Sequence, residues 1–542
     1  MIQVASEKFL RLVRERSFYF ILLLFLLVEL LINPLGEFCL NDDWAYAQAV
    51  NTYLQTSELK FSFWQAIPGL PLIFTGIFFS KIFGFSFTLL RFISIACVLL
   101  STLIVDANLK RWTLNRTQRL FVLLLFVFNP LTLSLGNSFL PDVFQLFLGL
   151  LCFHFLLRYL EHGKSVNYLL LILFSVLLTL NRQTGLLLPL IFALLLLGKG
   201  NWTAKKCLIA LLPFLLTSLA LFLFGYMAKE ILPQNYNLQL NNILNTLLHP
   251  HLNSFVVIGY YFVSSTLCLG LFILPLSISS FKQSYSALKS SRIAQLLLLV
   301  YLLLVTIKCL YSGNLFPFVG NIFYHVGVGP VIMTGFNTDE GQVLTLTAKI
   351  IWILLNFVGA MSFFISMQSI LKKQEDTRPL SSFFKILFVL YLVPLCFSYA
   401  NDRYLLFLLP FYLMAYVLSN NKESNKLSFL ILFLPLFYFG LAGTHDYFSL
   451  NRARAQATDY LAKEKQILAQ NIDGGFEFNA WHAKDSRNYK ASNTGRWWFV
   501  AQDEYIISPV PRPGYTIVRS FPFKSWMSFS FEEVKVLKRG KD

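Results

Sequence analysis

"SFYFILLLFLLVELLINPLGEFCLNDDWAYAQAV" fills residues 17–50. Its first half is almost wholly apolar. About 20 such residues cross a hydrocarbon core of roughly 30 Å. The run ends in two adjacent acids, Asp42 and Asp43. Ionised groups that close to hydrocarbon are costly and persist for a function or for a partner. The stretch therefore reads as a membrane span with an acidic mouth.

Apolar runs near this length recur from residue 18 to residue 442 of the 542-residue chain, which is 56% hydrophobic and 13% charged. A soluble chain carries about a quarter charged residues. Thirteen apolar runs are read as spans: 18–35, 87–107, 119–137, 142–160, 168–181, 185–198, 207–227, 253–275, 294–311, 346–371, 382–399, 404–420 and 427–442. The fold class expected is an all-α polytopic membrane protein. The net charge of +17 does not argue for nucleic acid, because the Lys and Arg cluster in short loops between spans, where they set orientation. "KRWTLNRTQR", "KQSYSALKSSR" and "KKQEDTR" then lie on the same side as the basic N-terminus, which is read as cytoplasmic, with the C-terminus outside. Seven cysteines without CxxC spacing give no disulfide framework.

Two segments stand apart. Residues 37–86 read as one long outer loop with helices lying in the interface. "AIPGLPLIFTGIFFSKIFG" (66–84) is one of these, since a crossing there would move "KRWTLNRTQR" outside. Residues 443–542 regain charge and lack any span-length apolar run. They read as a small outer α+β domain, distinct from the transmembrane domain of residues 1–442, with a helix over "NRARAQATDYLAKEKQILAQ" and strands at "EYIISPV" and "YTIVRSFPF".

This layout gathers unusual polar residues at one membrane level: Asp42, Asp43, Arg91, Asp142, Arg182, Gln183, Asp402, Arg403 and the loop histidine His325. Each has a plainer reading. Asp42, Asp43 and Asp142 suit helix N-termini, the arginines suit interface anchoring, and Arg403 suits a local pair with Asp402. Tryptophans 481, 497 and 498 suit sugar stacking, or core packing. Carboxylates suit general-base work on a hydroxyl, and arginines suit phosphate recognition. Together they fit transfer of a group from a lipid phosphate to an alcohol or amine.

"NDDWAYAQAV" resembles the Asp-Glu-x-x-Tyr signature that follows the first span in polyprenyl-phosphate-dependent glycosyltransferases of GT-C fold, such as the aminoarabinose transferase and the protein O-mannosyltransferases. "FGFSFTLLRFISI", "SFLPDVFQLFLGLLCFHFLLRYL", "LLTLNRQTGLLLPLIFALLL" and "NDRYLLFLLPFYL" resemble further elements of that family, in the family's order. The resemblance implies a GT-C type fold of about thirteen spans. It makes Asp42 the catalytic base, with Asp43 and Asp142 as supporting acids. Tyr46, Arg91, Arg182, Gln183 and Arg403 become candidates for the donor phosphate and substrate. A divalent metal, if one is used, would fall to Asp42 and Asp142. The implied donor is a polyprenyl-phosphate-linked sugar. The implied acceptor is a lipid, glycan or protein on the outer face of the bacterial cytoplasmic membrane. The sequence departs from the family in "WQAIPGLPL", which lacks the usual basic residue before its prolines, and in Asp43, where the family has Glu. Two other readings are a transporter or flippase, which should show internal repeats, and a lipid-linked oligosaccharide ligase, which should release a diphosphate carrier.

Overall fold

The computed structural model describes residues 17–483 and 503–540, apart from 113, 199, 201, 279–280, 282–284, 286–287, 290, 312–314, 325–326, 335–344, 372–378, 399 and 421–424. His325, Trp497, Trp498 and the basic N-terminal stretch lie outside the described residues.

Helices dominate, as the apolar runs require. Among the described residues eight helices are long and apolar enough to cross a bilayer, or nine when the bent pair Arg116–Val127 and Pro130–Gly136 counts as one span. Each of the thirteen expected runs contains a helix, but several are short. Leu187–Leu197 has 11 residues, about 17 Å at 1.5 Å per residue. The bent pair turns by 51° at Asn129-Pro130. There the Asn129 side chain accepts from the Leu131 amide, and the ring of Pro130 supplies no amide to continue the first helix. Span-to-span packing uses small residues. A Cβ at Gly270 would fall 2.0 Å from the Gly359 carbonyl oxygen, so the helices Leu252–Ser277 and Leu346–Leu371 approach backbone to backbone.

Two helices lie within residues 37–86, Asp43–Thr56 and Leu70–Phe83, with 14 residues each. At about 21 Å each is shorter than a hydrocarbon core. Leu70–Phe83 buries Leu72, Ile73, Gly76 and Ile77 and exposes Phe74, Phe78, Ile82 and Phe83. It starts at Gly69, where φ is +61° and a side chain would meet the Tyr46 ring at 3.0 Å.

Position 442 lies inside one continuous helix, Lys426–Asp459. No break in the chain marks the boundary expected there. The later turns of this helix supply Leu450, Ala453 and Ala457 to a second core with Ile472, Ile507, Val534 and Val536. The C-terminal sheet is built on them. Its strands are β3 (Ile472–Asp473), β4 (Tyr505–Ser508), β5 (Tyr515–Ser525) and β6 (Ser530–Arg539), in the order β3-β4-β6-β5. Only β3–β4 is parallel. A short hairpin, β1 (Phe323–Tyr324) with β2 (Gly327–Val328), packs against the same long helix.

Candidate active site

Asp42 is the residue before the helix Asp43–Thr56, yet its side chain makes no capping bond. It turns outward instead. Its Oδ2 accepts from Arg403 Nη1 at 2.8 Å and its Oδ1 from Trp64 Nε1 at 2.9 Å. The preceding Asn41 has φ +53°, a conformation that non-glycine residues adopt rarely. Its amide donates to Glu477 Oε1 at 3.2 Å, and Glu477 Oε2 accepts from Arg454 Nη1 at 2.7 Å. The C-terminal part of the chain thus grips the residue next to Asp42.

Asp43 points the other way. It is buried, and its Oδ1 accepts the Leu40 amide at 2.7 Å. Burial pushes its carboxyl up to about 7, against the opposing charge of Arg91. Arg91 is itself fully buried. Its guanidinium donates to the carbonyls of Pro34 at 3.0 Å and Gly36 at 2.6 Å, and to that of Phe38, between the Phe38 and Phe448 rings. Both residues therefore stand behind the acidic loop. Neither reaches the cavity in front of it.

Asp142 follows Pro141 in the first turn of the helix Pro141–His162, where no side-chain cap forms. Arg182 Nη1 donates to Asp142 Oδ1 at 2.6 Å and to Gln145 Oε1 at 3.1 Å. Gln145 in turn donates to Thr184 Oγ1 at 2.9 Å. Arg182 also lies 4.4 Å over the Tyr404 ring, and Arg403 5.4 Å from it. Such stacking suits a planar guanidinium. Arg403 does not pair with Asp402 in the way local spacing suggests. Asp402 accepts the amides of Ile322 and Phe323, both at 2.9 Å, which leaves Arg403 for Asp42.

Asp42, Asp142, Arg182, Arg403 and Tyr404 wall a cavity of about 360 Å³ that also includes Tyr46, Trp64, Gln239, Asn321 and Asn401. Its charged lining among the described residues is two acids, Asp42 and Asp142, and two bases, Arg182 and Arg403. A larger groove of about 710 Å³ adjoins it, walled by Leu186, Leu187, Leu221, Phe222, Leu240, Ile243 and Leu390. Ala66, Arg182, Gln239 and Ser398 line both. Gln183 lines the groove and not the cavity, and its Nε2 meets the Tyr236 carbonyl at 3.5 Å. The structure thus brings Asp42, Tyr46, Asp142, Arg182 and Arg403 together, places Gln183 beside them, and holds Asp43 and Arg91 in support. No group of three or more His, Cys, Asp or Glu side chains with metal-site geometry occurs among the described residues. Asp42 and Asp142 each face an arginine, a poor arrangement for a shared cation.

Sequence reasoning did not reach Trp64, Gln145, Gln239, Tyr404 or Glu477. Tyr404 follows Arg403 directly, whereas local spacing gives no sign of Glu477, at 436 residues from its partner Asn41.

Residues 70–226 match the model of the dolichyl-phosphate-mannose-protein mannosyltransferase family. The matched stretch contains Arg91, Asp142, Arg182 and Gln183, and the matched family is of the kind that the short motifs resemble. No curated protein sequence matches the chain. Among solved structures, ArnT from Cupriavidus metallidurans aligns at 12% identity over 95% of this chain and 97% of that one. The TM-score is 0.39 for its apo state and 0.40 for its complex with undecaprenyl phosphate. The Archaeoglobus fulgidus oligosaccharyltransferase aligns at 15% identity over 82% of this chain and 58% of that one, with a TM-score of 0.37.

Proposed function

We propose that this protein is a membrane glycosyltransferase that moves a sugar from a polyprenyl-phosphate carrier to an acceptor. The observation that carries the reading is the junction of the two hollows at Arg182. An apolar groove of about 710 Å³ adjoins a polar cavity with carboxylates, and an arginine stands on their shared wall. A phosphate tethered to a lipid in the groove would meet Arg182 as it enters the cavity. The sugar would then lie toward Asp42, Tyr46 and Trp64. Following the family resemblance, the reaction would take place on the outer face of a bacterial cytoplasmic membrane.

The chemistry asks for little beyond these groups. The acceptor hydroxyl or amine attacks the anomeric carbon, and the bond to the phosphate oxygen breaks with its electron pair on that oxygen. The acceptor's proton passes to Asp42 as general base. Displacement in one step inverts the anomeric centre. The carrier changes from a phosphodiester to a phosphomonoester and gains negative charge. Arg182 and Arg403, whose side chains are 6% and 14% exposed, face that charge, and burial strengthens such interactions. As Asp42 takes the proton, Arg403 loses the charge that balanced it at 2.8 Å and is freed to stabilise the leaving phosphate.

Three variants separate the roles. Asp42→Asn should reduce transfer by several orders of magnitude while polyprenyl phosphate still binds. Arg182→Met should weaken carrier binding tenfold or more, and Arg182→Lys should recover part of it, because a point charge replaces the fork. Wild-type turnover in Asp42→Asn would refute the assignment of the base.

A further inference from the structure

The turn that joins β5 to β6 is unusually apolar for a loop tip: Trp526, Met527, Ser528 and Phe529, then Phe531. Phe529 is 83% exposed and Phe531 78%. Side chains of that kind at a hairpin tip are a liability in water. Here the tip lies beside a membrane helix.

Two levels of contact fix its position along Lys426–Asp459. At the upper level the Asp446 carboxylate accepts from Ser525 Oγ at 2.7 Å and from the amides of Trp526 and Met527 at 2.7 and 2.8 Å. The His445 ring stacks on Trp526 with centroids 3.8 Å apart. At the lower level Tyr438 donates its hydroxyl to the Trp526 carbonyl at 2.8 Å, and its ring stacks on Phe529 at 6.3 Å. Tyr438 lies seven residues before His445, about 10 Å along the helix. The hairpin therefore descends along the helix past its first ionisable pair.

What surrounds Tyr438 decides the partner. Leu427, Leu430, Ile431 and Leu434 are all exposed, as is Tyr438. Their spacing places them on one helix face. The apolar run begins at Leu427, just after Lys426. A core of about 30 Å measured from there extends some 20 residues, to the neighbourhood of Tyr447. Tyr438 falls within it, and His445 and Asp446 fall at its edge. Phe529, stacked on Tyr438, continues the lipid-facing stripe. Trp526, at the level of His445, occupies the depth where indole rings collect at membrane interfaces. Lys524, exposed opposite Phe531 in the strand register, suits lipid headgroup phosphates.

We infer that the β5–β6 tip is a membrane anchor: Phe529 and Phe531 insert among lipid acyl chains and hold the C-terminal sheet against the bilayer. This surface is separate from the cavity at Asp42, and the inference stands whatever reaction that cavity performs.

The test uses the full chain in lipid nanodiscs. Cys207 and Cys309, the two cysteines that are not buried, are changed to serine. A bimane reporter is then placed through Phe529→Cys or, as a control at the far end of β5, Val518→Cys. Lipids brominated along their acyl chains should quench the reporter at 529 several-fold more than the one at 518. Aqueous iodide should show the opposite order. Equal lipid quenching at the two positions, or stronger iodide quenching at 529, would overturn the anchor.

Discussion

Glu477 makes the most exacting prediction, because it joins the C-terminal part of the chain to the loop that carries Asp42 through one fully buried carboxylate. Its two oxygens hold two donors, the Asn41 amide at 3.2 Å and Arg454 Nη1 at 2.7 Å. The Arg454 side chain is only 6% exposed and that of Glu477 0%. Glu477→Leu leaves both donors without an acceptor and strands the arginine charge. Removing one member of a buried pair costs about 3–5 kcal/mol, and Arg454→Met should cost a similar amount for the converse reason. The double variant removes both charges, so it should be less destabilised than the sum of the two singles, a coupling that a double-mutant cycle measures. Activity should not follow stability. The double variant still lacks the acceptor that holds the Asn41 amide, so the backbone beside Asp42 stays loose and transfer stays low at saturating donor. Unfolding in bilayer discs would be measured alongside turnover for all four proteins. Additive stabilities, or full turnover in the double variant, would refute a positioning role for Glu477.

Two further outcomes follow from the groups behind the loop. Arg91→Met leaves the carbonyls of Pro34, Gly36 and Phe38 without their donor; it should lower thermal stability while folded protein binds polyprenyl phosphate as wild type does, whereas selective loss of carrier affinity would return Arg91 to the donor site. Asp43 is raised in the folded state from 3.8 to about 7, so the folded chain holds this proton more tightly than the unfolded one. Its contribution to stability should therefore fall as pH rises from about 4 to 7 and level off above that. Asp43→Asn should remove this component, seen as a melting temperature that gains on wild type across that range; parallel curves would contradict it.

The spans were legible because hydrocarbon imposes a single rule, long apolar helices with satisfied backbones. Exact lengths were less so, since the runs near Arg182 are short and packed among neighbours. Asp42, Asp142, Arg182 and Arg403 were visible as costly charges at one membrane level, and the cavity unites them. Their pairing was not visible. Asp402-Arg403 reads as a local pair, but the amides of Ile322 and Phe323 claim Asp402, and Arg403 crosses to Asp42. Arg91 shows the limit of the same argument. A buried cation looks alike in sequence whether it meets a ligand or three carbonyls. The C-terminal boundary was placed where hydropathy falls, while the helix continues to Asp459 because its later turns exchange lipid for the sheet.

The most direct test of the central claim is the identity of the spent carrier. Purified protein would be given a panel of polyprenyl-phosphate sugars and polyprenyl-diphosphate sugars with an envelope extract as acceptor, and the lipid products resolved by mass spectrometry. The account predicts free polyprenyl monophosphate from at least one monophosphate donor, and none with Asp42→Asn. Release of a diphosphate carrier, or equal monophosphate release by Asp42→Asn, would contradict it.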